Sequence, residues 1–431
     1  MGVEPSPYTP GGRPRVFVGR ETELRLIDDR LARVIAYGEM MGPLLAITGP
    51  RGVGKTSLLR DVQDRATEAG FVVAWSAGVK HQPFLPDVVD RVISALARAE
   101  VPFQNTRRGL RLDQLAIEVR AGLASVSANL SRAPGETPNP LPAATPLIGP
   151  LQDFVTEAAA TIRQRGGAGL LILLDEIHEP LESLRAGSYT PNPAAQLDAA
   201  ILLNVVQNLD AERDRTPAGF IVAGLPATKT LLTRAATFGE RTHELQLSQL
   251  DPATAEALLA SPARQSHVTW ETAALHKAAD YARGYPETLQ RVGDMTWQVA
   301  RPDRGDTITT AHLEPALHRV EASMAHLFDS RWDNATAAEQ RFLAAMAAMA
   351  AHGSTPVTRS DIADLLGTRE PGDLSVVRAN LIAKGIIIPT GHGQLDFTIP
   401  GFDQWIRDRA QPDTPTRPRR PQRPPSHHGP E

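Results

Sequence analysis

The sequence of 431 residues contains no cysteine. This absence excludes disulfide scaffolds, thiolate metal sites and cysteine nucleophiles, and it fits a reducing compartment. Long apolar runs are also missing, since none approaches the roughly 20 residues that a membrane-spanning helix needs. The start, Met-Gly-Val-Glu-Pro, does not have the basic and then apolar pattern of a leader peptide. We therefore expect a cytoplasmic protein that has no membrane partner.

The chain also lacks an excess of positive charge. Its formal net charge is −4, from 45 basic and 49 acidic residues, so no global positive field attracts nucleic acid. Hydrophobic residues make up 42% of the chain and charged residues 22%, which is enough apolar material to bury a core. A prior of roughly 150 residues per domain predicts two or three domains.

Proline is concentrated in three segments, residues 1–14, 133–150 and 411–431. Each segment has too few apolar residues to offset the entropy lost on ordering it. We predict a disordered N-terminus, a Pro-rich surface loop inside a folded domain, and a disordered Pro/Arg tail. Contact of the tail arginines with an acidic partner is the alternative to a purely solubilising role.

Apolar strands alternate with amphipathic helices over residues 15–250. The strand-like runs are 44–48, 71–75, 170–174, 220–223 and 245–250. This alternation predicts a parallel sheet that is flanked by helices and joined by right-handed crossovers. The fold class is therefore α/β over this core.

The strand pattern stops after Asp251. Residues 251–330 have the pattern of four helices, which predicts an all-α domain. Over residues 334–410, a helix and a helix pair precede two short strands around a Gly-His-Gly hairpin signal. This order is typical of a winged-helix domain. We expect the stretch 329–336, between the two domains, to be exposed.

One octapeptide gives the strongest chemical signal. Gly49-Pro50-Arg51-Gly52-Val53-Gly54-Lys55-Thr56 matches G-x-x-x-x-G-K-[ST] between a predicted strand and a predicted helix. Its glycines let backbone N–H groups point at phosphate oxygens, and the helix N-terminus adds a positive dipole. We predict that Lys55 reaches the β and γ phosphates, that Thr56 is a magnesium ligand, and that Ser57 belongs to the same nucleotide site.

An acidic pair follows the apolar run 170–174. Asp175 would lie at the carboxyl end of that strand, where it can hold Mg²⁺ directly or through water. Glu176 is placed to accept a proton from an attacking water molecule. The alternative is that both acids only cap the next helix. We expect His178 to be a helix-start or loop residue, because no second histidine stands at a ligand spacing.

Two weaker candidates flank these motifs. Arg20, in Val16-Phe17-Val18-Gly19-Arg20-Glu21, either reaches the nucleotide or forms a surface salt bridge. Pro286, in Gly284-Tyr285-Pro286-Glu287, is compatible with an ordinary helix start.

Taken together, these motifs resemble the AAA+/STAND group of P-loop ATPases. The resemblance is greatest to bacterial ATP-binding proteins that have an archaeal-ATPase or origin-recognition-like AAA module and a C-terminal winged helix. The stretches 284–290, 331–336 and 381–387 look like that family's lid and winged-helix landmarks, and the resemblance covers residues 16–410. It implies an ATPase that binds ATP or ADP with Mg²⁺, an all-α lid, and a Pro286 that lies on the adenine side and reports the nucleotide state to the lid.

The sequence departs from the family pattern at two places. The strand 219–223 should end in a polar sensor residue, but it continues Gly-Leu-Pro, and the nearest hydroxyl belongs to Thr228. This departure argues against fast hydrolysis. No motif locates an arginine finger. Arg241 is the candidate, and a plain surface arginine is the alternative.

Three functions are compatible with this sequence. The first is a slowly hydrolysing ATPase that acts as a nucleotide-dependent switch on a protein partner or through self-association. The second is a DNA-associated initiator or loader, whose winged helix would contact DNA through residues 374–384. Residues 334–410, however, hold seven basic and eight acidic residues, and the contact helix offers mainly Arg378 and Lys384. The third is an adaptor that binds nucleotide without turnover, which the missing sensor favours and Glu176 opposes.

Overall fold

The computed structural model describes residues 4–80, 82–101, 121, 145–185, 188–212, 216–351, 357–367, 371–391 and 394–410. The predicted disordered tail, the first three residues and residues 133–144 of the predicted Pro-rich loop lie outside this part of the chain. None of the helices within it is long and apolar enough to cross a membrane.

Three sets of elements follow one another along the chain. The first is α1 (Glu21–Tyr37), β1 (Leu45–Thr48), α2 (Lys55–Glu68), β2 (Phe71–Ala77), α3 (Leu85–Arg98), α4 (Thr145–Gln164), β3 (Gly169–Asp175), α5 (His178–Leu181), β4 (Glu182–Arg185), β5 (Ser188–Pro191), α6 (Pro193–Ala211), β6 (Ala218–Gly224), α7 (Thr228–Ala235) and β7 (His243–Gln246). The second is α8 (Pro252–Gln265), β8 (Thr269–Trp270), α9 (Thr272–Ala282), α10 (Pro286–Ala300), β9 (Thr307–Ile308) and α11 (Thr310–Asp333). The third is α12 (Ala337–Ala351), β10 (Val357–Thr358), α13 (Arg359–Leu366), α14 (Pro371–Ala383), β11 (Ile387–Gly391), β12 (Gln394–Phe397) and α15 (Phe402–Ala410).

The core is a five-stranded parallel sheet in the order β2-β3-β6-β1-β7. Helices cover both faces, with α1 and α2 on one side and α3, α4 and α6 on the other. Strands β1, β3 and β6 are buried along their whole length, as expected of continuous apolar runs in a covered parallel sheet. The predicted α/β core is confirmed. Because all five strands are parallel, their carboxyl ends meet at one edge of the sheet.

The two C-terminal sets of elements complete the predicted fold. Helices α8 to α11 form the helical lid, which shares a continuous apolar core with the third set. In that third set, the short strand β10 precedes the helix pair α13 and α14, and β11 and β12 follow the pair. The three strands form the antiparallel sheet β10-β12-β11 of a winged helix.

The stretch 329–336 is not an exposed linker. Helix α11 continues to Asp333, and Arg331 in its last turn is buried. Phe328, on the same helix, stacks on Phe402 of α15 with 5.2 Å between the ring centroids. This aromatic contact buries the end of the lid helix against the winged-helix domain, so the two join without a break.

The predicted loop 133–150 is wrong at its end, because residues 145–150 are the first turns of α4. Leu147 and Phe154 are buried in the core cluster beneath this helix. Burial of that apolar face stabilises the helix even though Pro150 removes one of its backbone hydrogen bonds.

The predicted disordered N-terminus is wrong for residues 4–14, which form a strap against the lid, called the N-terminal strap below. Tyr8 is 3% exposed. Its hydroxyl donates to the Leu259 carbonyl at 2.5 Å and accepts from Trp270 Nε1 at 3.0 Å. Gly293 makes room for the ring, since a Cβ atom there would lie 2.6 Å from the ring carbons. One buried aromatic therefore anchors a segment whose composition predicts disorder.

We predict that Tyr8→Ala lowers the midpoint of thermal unfolding by about 5–10 °C, because truncating a buried aromatic costs about 3 kcal/mol. Circular dichroism melts measure this shift. The matched control is Tyr37→Ala, at a tyrosine that is 70% exposed, which should change the midpoint by about 1 °C or less. Equal melts for the two variants would contradict the anchoring role of Tyr8.

A buried carboxylate caps helix α3 from across the core. Asp198 Oδ2, on α6, accepts the backbone N–H groups of Phe84 at 2.7 Å and Leu85 at 2.9 Å. Burial raises the pKa of Asp198 from its usual 3.8 to about 7, although the two hydrogen bonds act in the opposite direction. Because the folded chain then binds the proton more tightly than the unfolded chain, Asp198 contributes most to the free energy of unfolding below pH 4. This contribution is lost as the pH rises to about 7.

We predict that Asp198→Asn flattens the pH dependence of the free energy of unfolding between pH 4 and pH 7. The amide keeps an acceptor oxygen but cannot titrate, so the variant should avoid a loss on the order of 2–4 kcal/mol that the wild type shows. Urea unfolding at four pH values measures this slope. Asp29→Asn, at an exposed position of α1, is the control. A variant slope parallel to the wild-type slope would contradict the assignment.

Candidate functional site

The loop 49–54 joins β1 to α2 at the carboxyl edge of the sheet. Gly52 and Gly54 have φ values of +81° and +99°, in the region that favours glycine. A Cβ atom on Gly52 would also lie 3.1 Å from Glu287 Cβ. The glycines of the motif are therefore needed both for the curl of the loop and for the approach of the lid.

Lys55 begins α2 and folds back over this loop. Its Nζ donates to the carbonyls of Gly49 and Pro50, both at 2.9 Å. Burial lowers the pKa of Lys55 to about 8, against the opposite effect of Glu176 and Asp175. The ammonium group is thus held at the loop by acceptors that a phosphate oxygen can replace.

Thr56 and Asp175 come together from two different elements. Thr56 Oγ1, on α2, donates to Asp175 Oδ2, at the end of β3, at 2.8 Å. Burial raises the pKa of Asp175, and the hydrogen bond from Thr56 lowers it. A hydroxyl and a carboxylate side by side are hard oxygen donors of the kind that Mg²⁺ takes, so this pair fits a magnesium ion. Ser57, the next residue of α2, also lines the cleft described below.

Glu176 follows directly and lines the same cleft. Its backbone has a φ of +50°, a conformation that costs a residue other than glycine of order 1 kcal/mol and is concentrated at functional sites. Its amide N–H donates to Asp175 Oδ1 at 2.9 Å. Within the described residues, Glu176 Oε2 is buried and has no hydrogen-bond donor.

Arg20 is 5% exposed and is not a surface residue. Its guanidinium donates to the Val53 carbonyl at 3.1 Å and to the Ser248 carbonyl at 2.6 Å, and it pairs with Glu23 at 3.2 Å. Burial lowers its pKa, and Glu23 raises it. The side chain thereby ties the phosphate loop to the segment after β7, while it also lines the cleft.

A cleft of about 610 Å³ lies over the loop, between the core and the lid. Its walls come from loop residues 51–57, from residues 9, 11–14 and 16–18 of the strap and the segment that follows, and from Pro286, Glu287 and Gln290 at the start of α10. The volume is in the range of small-molecule sites. Thr9 N–H donates to Gln290 Oε1 at 2.9 Å, so strap and lid form one continuous wall.

The lid contacts the phosphate loop directly. Glu287 N–H donates to the Gly52 carbonyl at 3.2 Å, and Pro286 Cγ would lie 3.9 Å from a Cβ atom on Gly54. Pro286 is the first residue of α10, as its sequence context predicts. The structure therefore brings Pro286 to the loop, next to Lys55 and Thr56.

A second group of side chains lies at the start of α5. Ligand atoms of Glu176, His178 and Glu179 lie within 4.8 Å of one another, although sequence spacing gave His178 no partner. Glu179 already pairs with Arg51 of the phosphate loop at 2.6 Å and with Lys80 at 3.6 Å. The His178 ring at 3.5 Å and the Arg51 guanidinium lower the pKa of Glu179 to about 2. Sequence reasoning missed this group because its members become neighbours only through the turn after β3.

The structure also describes the two places where the sequence departs from the family pattern, which are the end of β6 and the arginine-finger candidate Arg241. Strand β6 lies between β1 and β3 and ends at Gly224, and the Thr228 hydroxyl donates to the Leu225 carbonyl at 2.6 Å in its own turn. Arg241 is exposed before β7, and its guanidinium lies 5.8 Å from the Phe238 ring centroid. A role for Arg241 as an arginine finger stays a prediction.

Comparison with known proteins agrees with this geometry. Residues 16–190 match the family described as the AAA ATPase domain, and residues 325–406 match a domain of unknown function, DUF8462. None of the curated proteins matches the sequence.

Two solved structures are similar in fold. One is the Walker-type ATPase PABY2304 of Pyrococcus abyssi, with 14% identity and a TM-score of 0.57 over 94% of this chain and 99% of that chain. The other is the ORC2 protein of Aeropyrum pernix in its ADPNP–ADP complexes, with 15% identity and a TM-score of 0.56 over 94% and 96%.

At these identities the likeness establishes the fold, and the matched domain together with the phosphate loop establishes a site for ATP or ADP. Residues 16–190 therefore match an AAA ATPase domain, and the fold of the chain is similar to that of a Walker-type ATPase and of the ORC2 protein.

Proposed function

We propose that the protein hydrolyses ATP slowly and uses the bound nucleotide as a switch that sets the position of its winged-helix domain. The observation that carries this proposal is that the phosphate loop contacts both other domains. Glu287 of the lid bonds to Gly52. On the other side, a Cβ atom on Gly385 of the winged-helix domain would lie 3.7 Å from both Pro50 Cα and Arg51 N.

Arg331 connects the contact between Gly385 and the phosphate loop with the charge of Lys55. Its Nη1 donates to the Gly385 carbonyl at 3.3 Å, from the buried last turn of α11. Besides burial, the positive charges of Arg51 and Arg331 lower the pKa of Lys55. A γ-phosphate that Lys55 binds would add negative charge next to Arg331, and Arg331 holds the turn of the winged helix. Gain and loss of that phosphate would therefore favour different arrangements of this turn.

The chemistry of the switch follows from the residues of the cleft. Lys55 exchanges its two carbonyl contacts for the β and γ phosphates, and Arg20 keeps the loop in place. Thr56 and Asp175 hold Mg²⁺, which neutralises phosphate charge when it is bound. Glu176 accepts a proton at its carboxylate from the attacking water. Pro286 and the strap close the cleft on the lid side.

The winged-helix domain gives weaker support to a DNA-binding output. Lys384, one of the two cations of the candidate contact helix, is 8% exposed and pairs with Glu339 at 2.6 Å. A lysine in a buried ion pair is not available to a DNA phosphate. Of the two cations of the helix, only Arg378 is then left to contact DNA. Phosphate binding needs several well-placed cations, so we favour a protein partner or self-association as the output of the switch.

We predict that two variants separate binding from chemistry. Lys55→Ala should lower ATP affinity about ten- to a hundredfold, because it removes a charge-assisted contact of about 1.5–3 kcal/mol. Glu176→Gln should keep the wild-type affinity and lower phosphate release by roughly 100-fold or more, because the amide cannot accept the proton. Calorimetry and a phosphate-release assay measure the two effects. Equal affinity in Lys55→Ala would contradict the site, and a wild type without turnover would leave the non-hydrolysing adaptor as the better account.

We also predict that the winged-helix domain moves between the ADP and ATP states. Because the chain has no cysteine, spin labels on Tyr37→Cys and Val376→Cys report the distance from core to winged helix, and both positions are exposed. In a Glu176→Gln background, the mean distance should differ between ADP and ATP by roughly 5 Å or more.

The matched control pair is Tyr37→Cys with Val79→Cys, which are exposed positions within the core. Their separation should be the same with both nucleotides. Equal distances for the core-to-winged-helix pair in ADP and ATP would contradict the switch while leaving ATP binding intact.

A further inference from the structure

The end of β6 lies between the phosphate loop and the acidic pair, and it offers no side chain of its own to the cleft. A Cβ atom on Gly224 would lie 2.2 Å from Thr228 Oγ1 and 3.2 Å from His178 Nδ1. The space next to Gly224 is therefore filled first by the Thr228 hydroxyl and, beyond it, by the imidazole of His178, which reaches it from the turn after β3. His178 is 7% exposed.

The contacts of His178 fix the position of its ring protons. Leu225 N–H, just after β6, points at His178 Nδ1 at 3.3 Å. A backbone N–H can only donate, so Nδ1 presents its lone pair and the proton of the neutral ring is on Nε2. Nε2 faces Glu179 Oε1 at 3.5 Å, and Glu179 pairs with Arg51. The ring is held between the end of β6 and the phosphate loop.

The same ring faces the carboxylate of Glu176, since His178 Nδ1 lies 3.4 Å from Glu176 Oε2. The backbone supports this arrangement: Ile177 N–H donates to the Ala223 carbonyl at 3.0 Å, and Glu179 N–H donates to the Glu176 carbonyl at 2.9 Å. The buried ring thus lies directly against the carboxylate of Glu176.

We propose that His178 is the positioning residue for Glu176. With the Thr228 hydroxyl it occupies the space at the end of β6, and through Glu179 it connects the carboxylate of Glu176 to Arg51 of the phosphate loop. While Glu176 is ionised, Oε2 and Nδ1 present lone pairs to each other; when Glu176 takes a proton from water at Oε2, the new O–H group removes this repulsion by sharing the single Nδ1 lone pair with Leu225 N–H. The proton stays on Glu176, and no further group is oxidised or reduced. This inference rests on the proposed hydrolysis by Glu176.

The test compares two substitutions of similar size. His178→Leu fills the space without an acceptor, and His178→Asn offers an amide oxygen to Leu225 N–H. We expect His178→Leu to lower kcat for phosphate release about ten- to a hundredfold, with KM and the Kd for ATP changed less than about twofold. His178→Asn should recover a large part of kcat. His276→Leu, at an exposed histidine of α9, is the control and should leave kcat unchanged.

A double-mutant cycle shows whether His178 acts through Glu176. In a Glu176→Gln background, measured by single-turnover phosphate release, adding His178→Leu should have almost no effect, because the group that it positions is already absent. The thermal shift that ATP produces confirms that each variant folds and binds nucleotide.

Four outcomes would overturn the proposal. The first is a wild-type kcat in His178→Leu, and the second is a loss of phosphate release in the Glu176→Gln background as large as the loss in the wild type. The third is a loss of ATP affinity that accounts for the whole fall in rate. The fourth is a kcat in His178→Asn that stays as low as in His178→Leu. In each of these cases wild-type turnover still supports the proposed ATPase. A wild type without any phosphate release overturns the proposed hydrolysis, and this inference with it.

Discussion

The rest of the structure depends on the backbone of the phosphate loop, because all three domains contact it. The core supports the loop through β1 and Arg20, the lid bonds to Gly52, and the winged-helix domain approaches Pro50 at Gly385. A Cβ atom on Gly52 or Gly385 would lie close to atoms of the domain that it faces, so a side chain at either position would require those neighbours to shift. Because the lid and the winged-helix domain both approach the backbone of the loop closely, a movement of the loop would displace the groups that contact it in both domains.

Arg20, Lys55 and Asp175 are buried charges at the cleft, and each of them has hydrogen-bond partners. Taking an ion out of water is expensive unless hydrogen bonds or an opposite charge compensate for it. Arg20 donates to the carbonyl oxygens of Val53 and Ser248 and so ties the loop to the segment after β7. The carbonyl contacts of Lys55 are those that phosphate oxygens would take over. The cleft is therefore prepared for an anion before the nucleotide arrives.

Lid and winged helix are coupled by apolar packing. Phe328 at the end of α11 stacks on Phe402, and Trp332 meets Trp405 edge to face at 6.1 Å. Aromatic contacts of this kind add to the burial of the rings, and together they make the end of the lid part of the core of the next domain. A tilt of the lid driven by the nucleotide would carry the winged helix with it. The N-terminal strap acts at the other end of the lid, where Tyr8 holds the wall of the cleft to α8.

The sequence by itself determined the α/β core, the order of the three domains and the position of the phosphate loop. These depend on local signals, namely apolar runs, helical periodicity, and a glycine-rich octapeptide between a strand and a helix. Only the tertiary structure decided that the strap is anchored, that α4 begins at Thr145, that Arg331 is buried and that His178 faces Glu176. In each of these cases the outcome depends on packing against partners brought close by the fold. Tyr8 meets its partners 251 and 262 residues away, and His178 meets β6 47 residues away. No local pattern records a contact of that kind, because the free energy that favours it exists only once the sheet and the lid have formed.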